Sequence, residues 1–314
     1  AEIEFIGQSL PYYDSVREAL SSALPPYPSI PPIQCGLEDF ERVHSPGYLR
    51  SLARMAEGLS VTEEPNRSAE CSGLEFALPG YRYTLGGMIE MLRLMKNGNL
   101  SRGYVFGQVG HHAYPDWGHG YCLLNPQAAA VRFAQKLGFS RVLIIDWDFH
   151  HGDGTQAIFA GDPNVHCISI HSAVDLYMAM IGAAERGTTG AAERAGHQNI
   201  PVLSSLYSDD HWKELGLEGT YYRAPGVMKC FDEAMENIPW DPAIVFIFSG
   251  YDAHIEDCGG DVQKWTDNDF ETLTRKIRNF SDTRDIPILS THGGGYEIET
   301  TVRAALRHIE VLAE

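Results

Sequence analysis

Five short apolar runs, each ending in polar residues, constrain this chain more than anything else in it. They are YVFGQV at 104–109, RVLIID at 141–146, VHCISI at 165–170, AIVFIF at 243–248 and IPILS at 286–290. Each is continuous and rich in β-branched or aromatic residues, the pattern of a strand buried on both faces of a sheet. Amphipathic stretches separate them: PQAAAVRFAQKLG at 126–138, VMKCFDEAMENI at 227–238 and DNDFETLTRKIRNF at 267–280. The first opens with proline and closes with glycine, as helices often do. Strands alternating with helices predict a parallel α/β sheet. No internal repeat or low-complexity linker interrupts the 314 residues, which predicts one domain over 1–314.

The residues after each run carry the chemistry. GHH follows the first at 110–112, and DWDFHHGDG closes the second at 146–154. His171 follows the third, SGYDAH the fourth at 249–254 and THGGGY the fifth at 291–296. In a parallel sheet the C-terminal strand ends share one edge, where such folds place their sites. Asp148 and His150 stand two apart, so in an extended segment they face the same side. With Asp252 they make three N/O ligands and leave a coordination position open, the pattern of a catalytic zinc or iron rather than a closed structural site. His111 and His112 are candidate acid and base groups if carboxylates orient them, and Asp146 and Asp153 are free to do so. Tyr296, after three glycines, is a candidate hydrogen-bond donor to a developing oxyanion.

Each signal has a plainer reading. A histidine pair is commonly a surface or satisfied core feature, GGG a turn, and DxD after a strand a magnesium-phosphate site. Their recurrence at five successive strand ends favours the metal site. The net charge of −18 argues against a nucleic-acid groove and permits a cationic substrate, although a solvated acidic surface accounts for it as well. No run approaches 18 apolar residues, so no membrane span is expected. Six irregularly spaced cysteines fit free thiols in a reducing cytoplasm.

GHHAYPDWGHGYCLLN (110–125), DWDFHHGDGT (146–155), SIH (169–171), SGYDAH (249–254), DCGGDVQKWTDNDF (257–270) and GGGY (293–296) together resemble the zinc-dependent histone deacetylase superfamily, nearest its class II and bacterial branches. The resemblance runs from about residue 40 to the C-terminus. It implies the arginase/deacetylase-like fold, a central parallel sheet with helices on both faces. It also implies one zinc ion on Asp148, His150 and Asp252. His111 would pair with Asp146 and His112 with Asp153, and Tyr296 would polarise the scissile carbonyl of an acylated amine. Two potassium or sodium sites are implied, one on Asp146, Asp148, His150, Ser169 and Ile170, the other on Phe159, Asp162 and Val165. Gly120 and Tyr121 match tunnel-lining positions, Glu70 an acid at the tunnel mouth, and Gly294 the glycine run beside the substrate.

The departures are specific. The family's HPExPxR segment is absent, and YYDSVREAL stands roughly in its place. The loop after His171 lacks the family's Tyr-Pro or Phe-Pro pair, so the second tunnel aromatic falls on Met178 with Tyr177 beside it. This predicts a wider or softer acyl tunnel. Acetylpolyamine specialists in one branch carry a glutamate seven residues after the last zinc ligand, where this chain has Gly259. The expectation is therefore a cytoplasmic zinc amidohydrolase for an acylated amine, a small molecule or an acyl-lysine peptide. Amidohydrolysis of longer-acyl or polyamine amides is the nearest rival. A non-catalytic acyl-lysine-binding protein and a dimanganese ureohydrolase are further ones. Homo-oligomerisation is compatible with the sequence.

Overall fold

A computed structural model describes residues 10–31, 33–61, 65, 67–174, 196–208 and 221–314. Six strands form one sheet: β1 (Arg102–Val105), β2 (Val142–Asp146), β3 (Val165–Ser172), β4 (His197–Val202), β5 (Ile244–Ser249) and β6 (Ile288–His292). Their order is β1-β6-β5-β2-β3-β4, and every pairing is parallel. The central strands are buried along their whole length, which is why they read as unbroken apolar runs.

Successive side chains point to opposite faces, and two cores result. Val142, Ile144, Phe246 and Leu289 pack on one side, together with α3 (Leu78–Lys96) and α4 (Pro126–Lys136). Leu143, Ile145, Val245, Ile247 and Ile288 pack on the other. There they meet α1 (Leu10–Ala23), α6 (Val227–Glu236), α7 (Asp267–Asp282) and α8 (Ile298–Ala313). Helices therefore cover both faces, as expected. The short helix α2 (Pro46–Ala56) packs into the first core, and α5 (Asp153–Phe159) follows β2 directly.

Local chemistry sets the helix starts. Asn125 caps α4 by accepting from the Ala128 N–H at 2.8 Å, and Pro126 takes the first helical position. Thr266 and Asp269 form a reciprocal capping box at α7.

The strands differ from expectation in several places, three of them informative. The first strand ends at Val105, not residue 109, because the Gln108 N–H turns to the Thr84 hydroxyl (2.9 Å) instead of a neighbouring strand. The third runs to Ser172, so His171 lies within it. Strand β4, HQNIPV, was not anticipated. Among the named strands it pairs with β3, with one bridge from Val202 to Tyr222 on its other side, and an edge strand with polar residues lacks the continuous apolar signature. Among the described residues no helix is long and apolar enough to cross a membrane.

Candidate metal centre and active site

Strand β2 delivers Asp146 to the C-terminal edge of the sheet, with Ser169 of β3 and Phe248 of β5 as its register partners. The chain then leaves the strand through Trp147–His150, and β5 leaves through Gly250–Asp252 on the adjacent track. Ligand-capable atoms of Asp148, His150 and Asp252 all come within 4.8 Å of one another. Nδ1 of His150 lies 3.2 Å from Oδ1 of Asp148 and 3.1 Å from Oδ2 of Asp252. Zinc–ligand bonds of about 2.0–2.1 Å in a tetrahedron place neighbouring donors about 3.3 Å apart, so the spacing fits one small cation.

The charges fit as well. Asp148 and Asp252 are 1% and 0% exposed. Burial and then the Asp148 charge raise Asp252 to about 7. Burial also opposes ionisation of Asp148, but His111 and His150 outweigh it and hold that carboxyl well below the usual range. Two carboxylates buried this close together raise the cost of ionising both, and a divalent cation between them offsets it. The remaining carboxylate lone pairs are directed by backbone donors. Phe149 N–H donates to Oδ1 of Asp252 at 2.8 Å, and His150 N–H to Oδ1 of Asp148 at 3.0 Å.

Two histidine–aspartate pairs stand beside this cluster. His111 Nδ1 is 3.0 Å from Asp146 Oδ2, and His112 Nδ1 is 2.8 Å from Asp153 Oδ1. The two imidazole centroids are 4.0 Å apart, and His111 stacks on Phe248 at 4.3 Å. Their environments separate them. Burial pushes His111 down, but the carboxylates of Asp148 and Asp146 win and hold it at about 9. Burial and the neighbouring His111 charge push His112 down to about 3. The two imidazoles are therefore shifted in opposite directions, His111 toward the charged form and His112 toward the neutral one.

Tyr296 also borders the cluster, its ring centroid 6.1 Å from that of His150, and His112 is 6.0 Å from the same ring. Burial, then Asp252 and Asp148, raise the Tyr296 phenol well above its ordinary value, so it keeps its proton and can donate it in a hydrogen bond.

The sequence matches the histone deacetylase domain over residues 11–312. The chain belongs to the histone deacetylase family. Similar proteins include the polyamine deacetylase HDAC10 of Mus musculus, 27% identical over 282 residues, or 88% of this chain and 40% of that one. A probable deacetylase of Archaeoglobus fulgidus is 29% identical over 272 residues, covering 85% of this chain and 69% of the other. The chain thus spans less than half the length of the HDAC10 proteins it matches. The crystal structure of the HDA15 HD domain superposes with a TM-score of 0.71 at 23% identity, covering 96% of this chain and 83% of that one. That likeness establishes the histone deacetylase fold.

The tunnel positions named from the family resemblance are partly visible. Gly120 adopts φ +56, and a Cβ there would sit 2.4 Å from Cδ2 of His112, so only glycine lets the loop approach the ring. Tyr121 is also left-handed, at φ +60, with its carbonyl accepting from the Tyr81 hydroxyl at 3.3 Å. Glu70 Oε1 accepts from the Gly120 N–H at 2.9 Å and from the Ser68 hydroxyl. Gly294 turns its N–H to Asp148 Oδ2. Tyr177 and Met178 lie outside the described residues.

Of the positions expected from the resemblance to hold monovalent cations, Ser169 bonds His171 Nδ1 at 2.8 Å, and Ile170 is buried beside it. The Asp162 side chain is taken by Arg132 and by the Asn164 N–H, while its N–H bonds the Phe159 carbonyl at 2.9 Å. Val165 N–H bonds the Asp162 carbonyl at 3.3 Å.

Sequence reasoning missed two polar residues here. His119 is fully buried, stacks on Trp117 at 4.4 Å, and brings Nε2 to 3.0 Å from Asp153 Oδ2. Asp153 therefore has two imidazoles and the Tyr114 hydroxyl (3.2 Å) around it. Asp257 Oδ2 accepts from the Tyr296 N–H at 2.8 Å and the Glu297 N–H at 2.9 Å. A histidine inside the GHH…GYC motif and an acid five residues after Asp252 were the available signals.

Proposed function

We propose that this chain is a zinc-dependent amidohydrolase that removes an acyl group, most simply acetyl, from an amine. The observation that carries the reading is the convergence of Asp148, His150 and Asp252 with the two histidine–aspartate pairs and Tyr296 at one sheet edge. Asp148, His150 and Asp252 would hold one zinc ion. When bound, zinc supplies Lewis-acid chemistry: activation of water at neutral pH and polarisation of a carbonyl.

The chain's own groups supply the rest. Neutral His112, held by Asp153, is the base that takes a proton from the attacking water. His111, paired through Nδ1 with Asp146, is placed to act as the acid for the leaving amine. The Tyr296 hydroxyl donates to the carbonyl oxygen as it becomes an oxyanion. Gly120 and Tyr121 wall the approach, and Glu70 acts at its mouth, partly by holding the Gly120 N–H. Potassium or sodium on Asp146, Asp148, His150, Ser169 and Ile170, and on Phe159, Asp162 and Val165, belongs to the same reading. So do a single domain over 1–314, a cytoplasmic setting and a substrate that is neither nucleic acid nor membrane.

Polyamine amides are a second reading, favoured by the net charge of −18 and by relatives named polyamine deacetylases. Gly259 weighs against it. A Cβ at that position would lie 2.0 Å from the Ala253 carbonyl oxygen, so the backbone leaves no room for an acidic selector there. The test is turnover by purified, zinc-loaded protein on acetyl-, longer acyl- and trifluoroacetyl-lysine peptides and on acetylpolyamines. Hydrolysis of an acyl-lysine substrate supports the first reading, and turnover of acetylpolyamines alone supports the second. No hydrolysis of any member, with zinc bound, defeats both.

A further inference from the structure

Helix α1 reaches the site from the opposite end of the chain. Its Tyr12 is 7% exposed, and the hydroxyl donates to the carbonyl oxygen of Gly295 at 2.5 Å, across 283 residues. The same hydroxyl lies 3.1 Å from Oγ1 of Thr301, a fully buried residue of α8, whose hydroxyl can donate back to it. Tyr13 sets an edge-on contact with Phe106 at 6.0 Å, and Phe106 packs on His292 at 4.5 Å, so α1 is anchored beside the strand that ends in the glycine run.

The Gly295 carbonyl and the Tyr296 N–H belong to one peptide group. Asp257 holds the N–H of that group and Tyr12 holds its carbonyl. Because the peptide is planar, fixing both ends fixes the whole plane. Gly295, at φ +150, would otherwise leave that plane free to rotate. What remains to Tyr296 is its own φ and its side-chain torsions, which place the phenol.

We propose that Tyr12 is a positioning residue for Tyr296, so that helix α1 is part of the catalytic apparatus. The proposal rests on Tyr296 being the oxyanion donor. Tyr12→Phe removes the hydroxyl and leaves the ring. Misplacing a reacting group by a fraction of an ångström slows a reaction strongly, so kcat should fall about 10-fold while KM stays within about 2-fold. In a Tyr296→Phe background the same change should alter kcat less than about 2-fold, since the group it positions is gone. Hydrogen exchange should quicken in the peptide covering residues 293–297, whether or not the protein turns over any substrate. Wild-type kcat in Tyr12→Phe with only a lowered Tm overturns the proposal, as do equal losses in both backgrounds. If the wild-type protein hydrolyses no acylated amine, the functional reading fails instead. Unchanged exchange at 293–297 then still counts against Tyr12, and faster exchange for it.

Discussion

Gly294 donates its backbone N–H to Oδ2 of Asp148 at 2.7 Å. The two residues lie 146 positions apart, on loops that follow β6 and β2. A Cβ on Gly294 would fall 2.5 Å from Asp252 Oδ2 and 2.7 Å from Asp148 Oδ2. The glycine run is therefore packed directly against both carboxylates of the candidate metal site, and the tyrosine it carries is referenced to the ligands themselves.

Asp252→Asn separates metal binding from folding. The substitution keeps an oxygen to accept from Phe149 N–H but removes one of two buried like charges. Zinc affinity should drop at least about 100-fold, more than the loss of an outer-shell partner usually costs. The metal-free variant should unfold at the temperature of the metal-free wild type or above it. Asp148→Asn and His150→Ala should also lose the metal. Metal content after dialysis against a weak chelator, beside thermal melts, checks this, and full zinc occupancy in all three variants would remove the ligand assignment.

Tyr296→Phe should keep the fold and the zinc, because its backbone contacts to Asp257 are untouched. Turnover should fall about 100-fold or more, the usual effect of losing one oxyanion donor. The loss should sit mainly in kcat. Steady-state kinetics on the best substrate decide it; wild-type turnover by the zinc-loaded variant excludes a role for the phenol.

Gly120→Ala should damage the site locally. The new methyl would meet the His112 ring, and the residue would be forced to hold φ +56. A left-handed non-glycine residue costs about 1–2 kcal/mol, so urea unfolding should show a loss of that order. Turnover should fall at least about 10-fold through displacement of His112. Retention of both wild-type stability and wild-type kcat would mean that the loop relaxes freely.

Acid should destabilise the fold through buried neutral histidines remote from the metal ligands. Burial holds His44 at about 4, although the Tyr114 and Pro115 backbone opposes it. Burial and then His292 hold His308 at about 3. His44 sits between the Tyr114 carbonyl and the Asn125 N–H, and His308 between the Thr274 and Ser290 hydroxyls. Their unfolded values lie near 6.5, so below that pH the unfolded chain binds protons that the folded one refuses. Stability is complete above about 6.5 and should fall, by about 1.4 kcal/mol per pH unit for each such histidine, until the folded values are reached. Denaturant titrations from pH 7 to pH 4 measure the slope. A flat profile would contradict the buried neutral state.

The central strands and the Asp148–His150 pair were legible in the sequence for the same reason: both are local patterns. Burial on two faces writes β2, β3, β5 and β6 as apolar runs, and two-residue spacing puts Asp148 beside His150. Contacts made across the chain leave no such trace. Tyr12 reads as one aromatic of the YYDSVREAL stretch, Asp257 as a loop acid and His119 as part of an unassigned motif. Each acquires meaning only through a partner 34 or more residues away. Strand β4 was hidden because HQNIPV opens with polar residues, two of them only half-buried at this edge of the sheet.

The parallel sheet acts as a ruler for the chemistry. Asp148 and Asp252 leave neighbouring strands whose separation is the roughly 4.8 Å repeat of backbone hydrogen bonding. That length belongs to the backbone and is the same whatever sequence the strands carry. Loops elsewhere on the C-terminal rim of the sheet can therefore change length and composition without altering the spacing of these two strands. A scaffold of this kind can be given a new substrate by rewriting its rim alone.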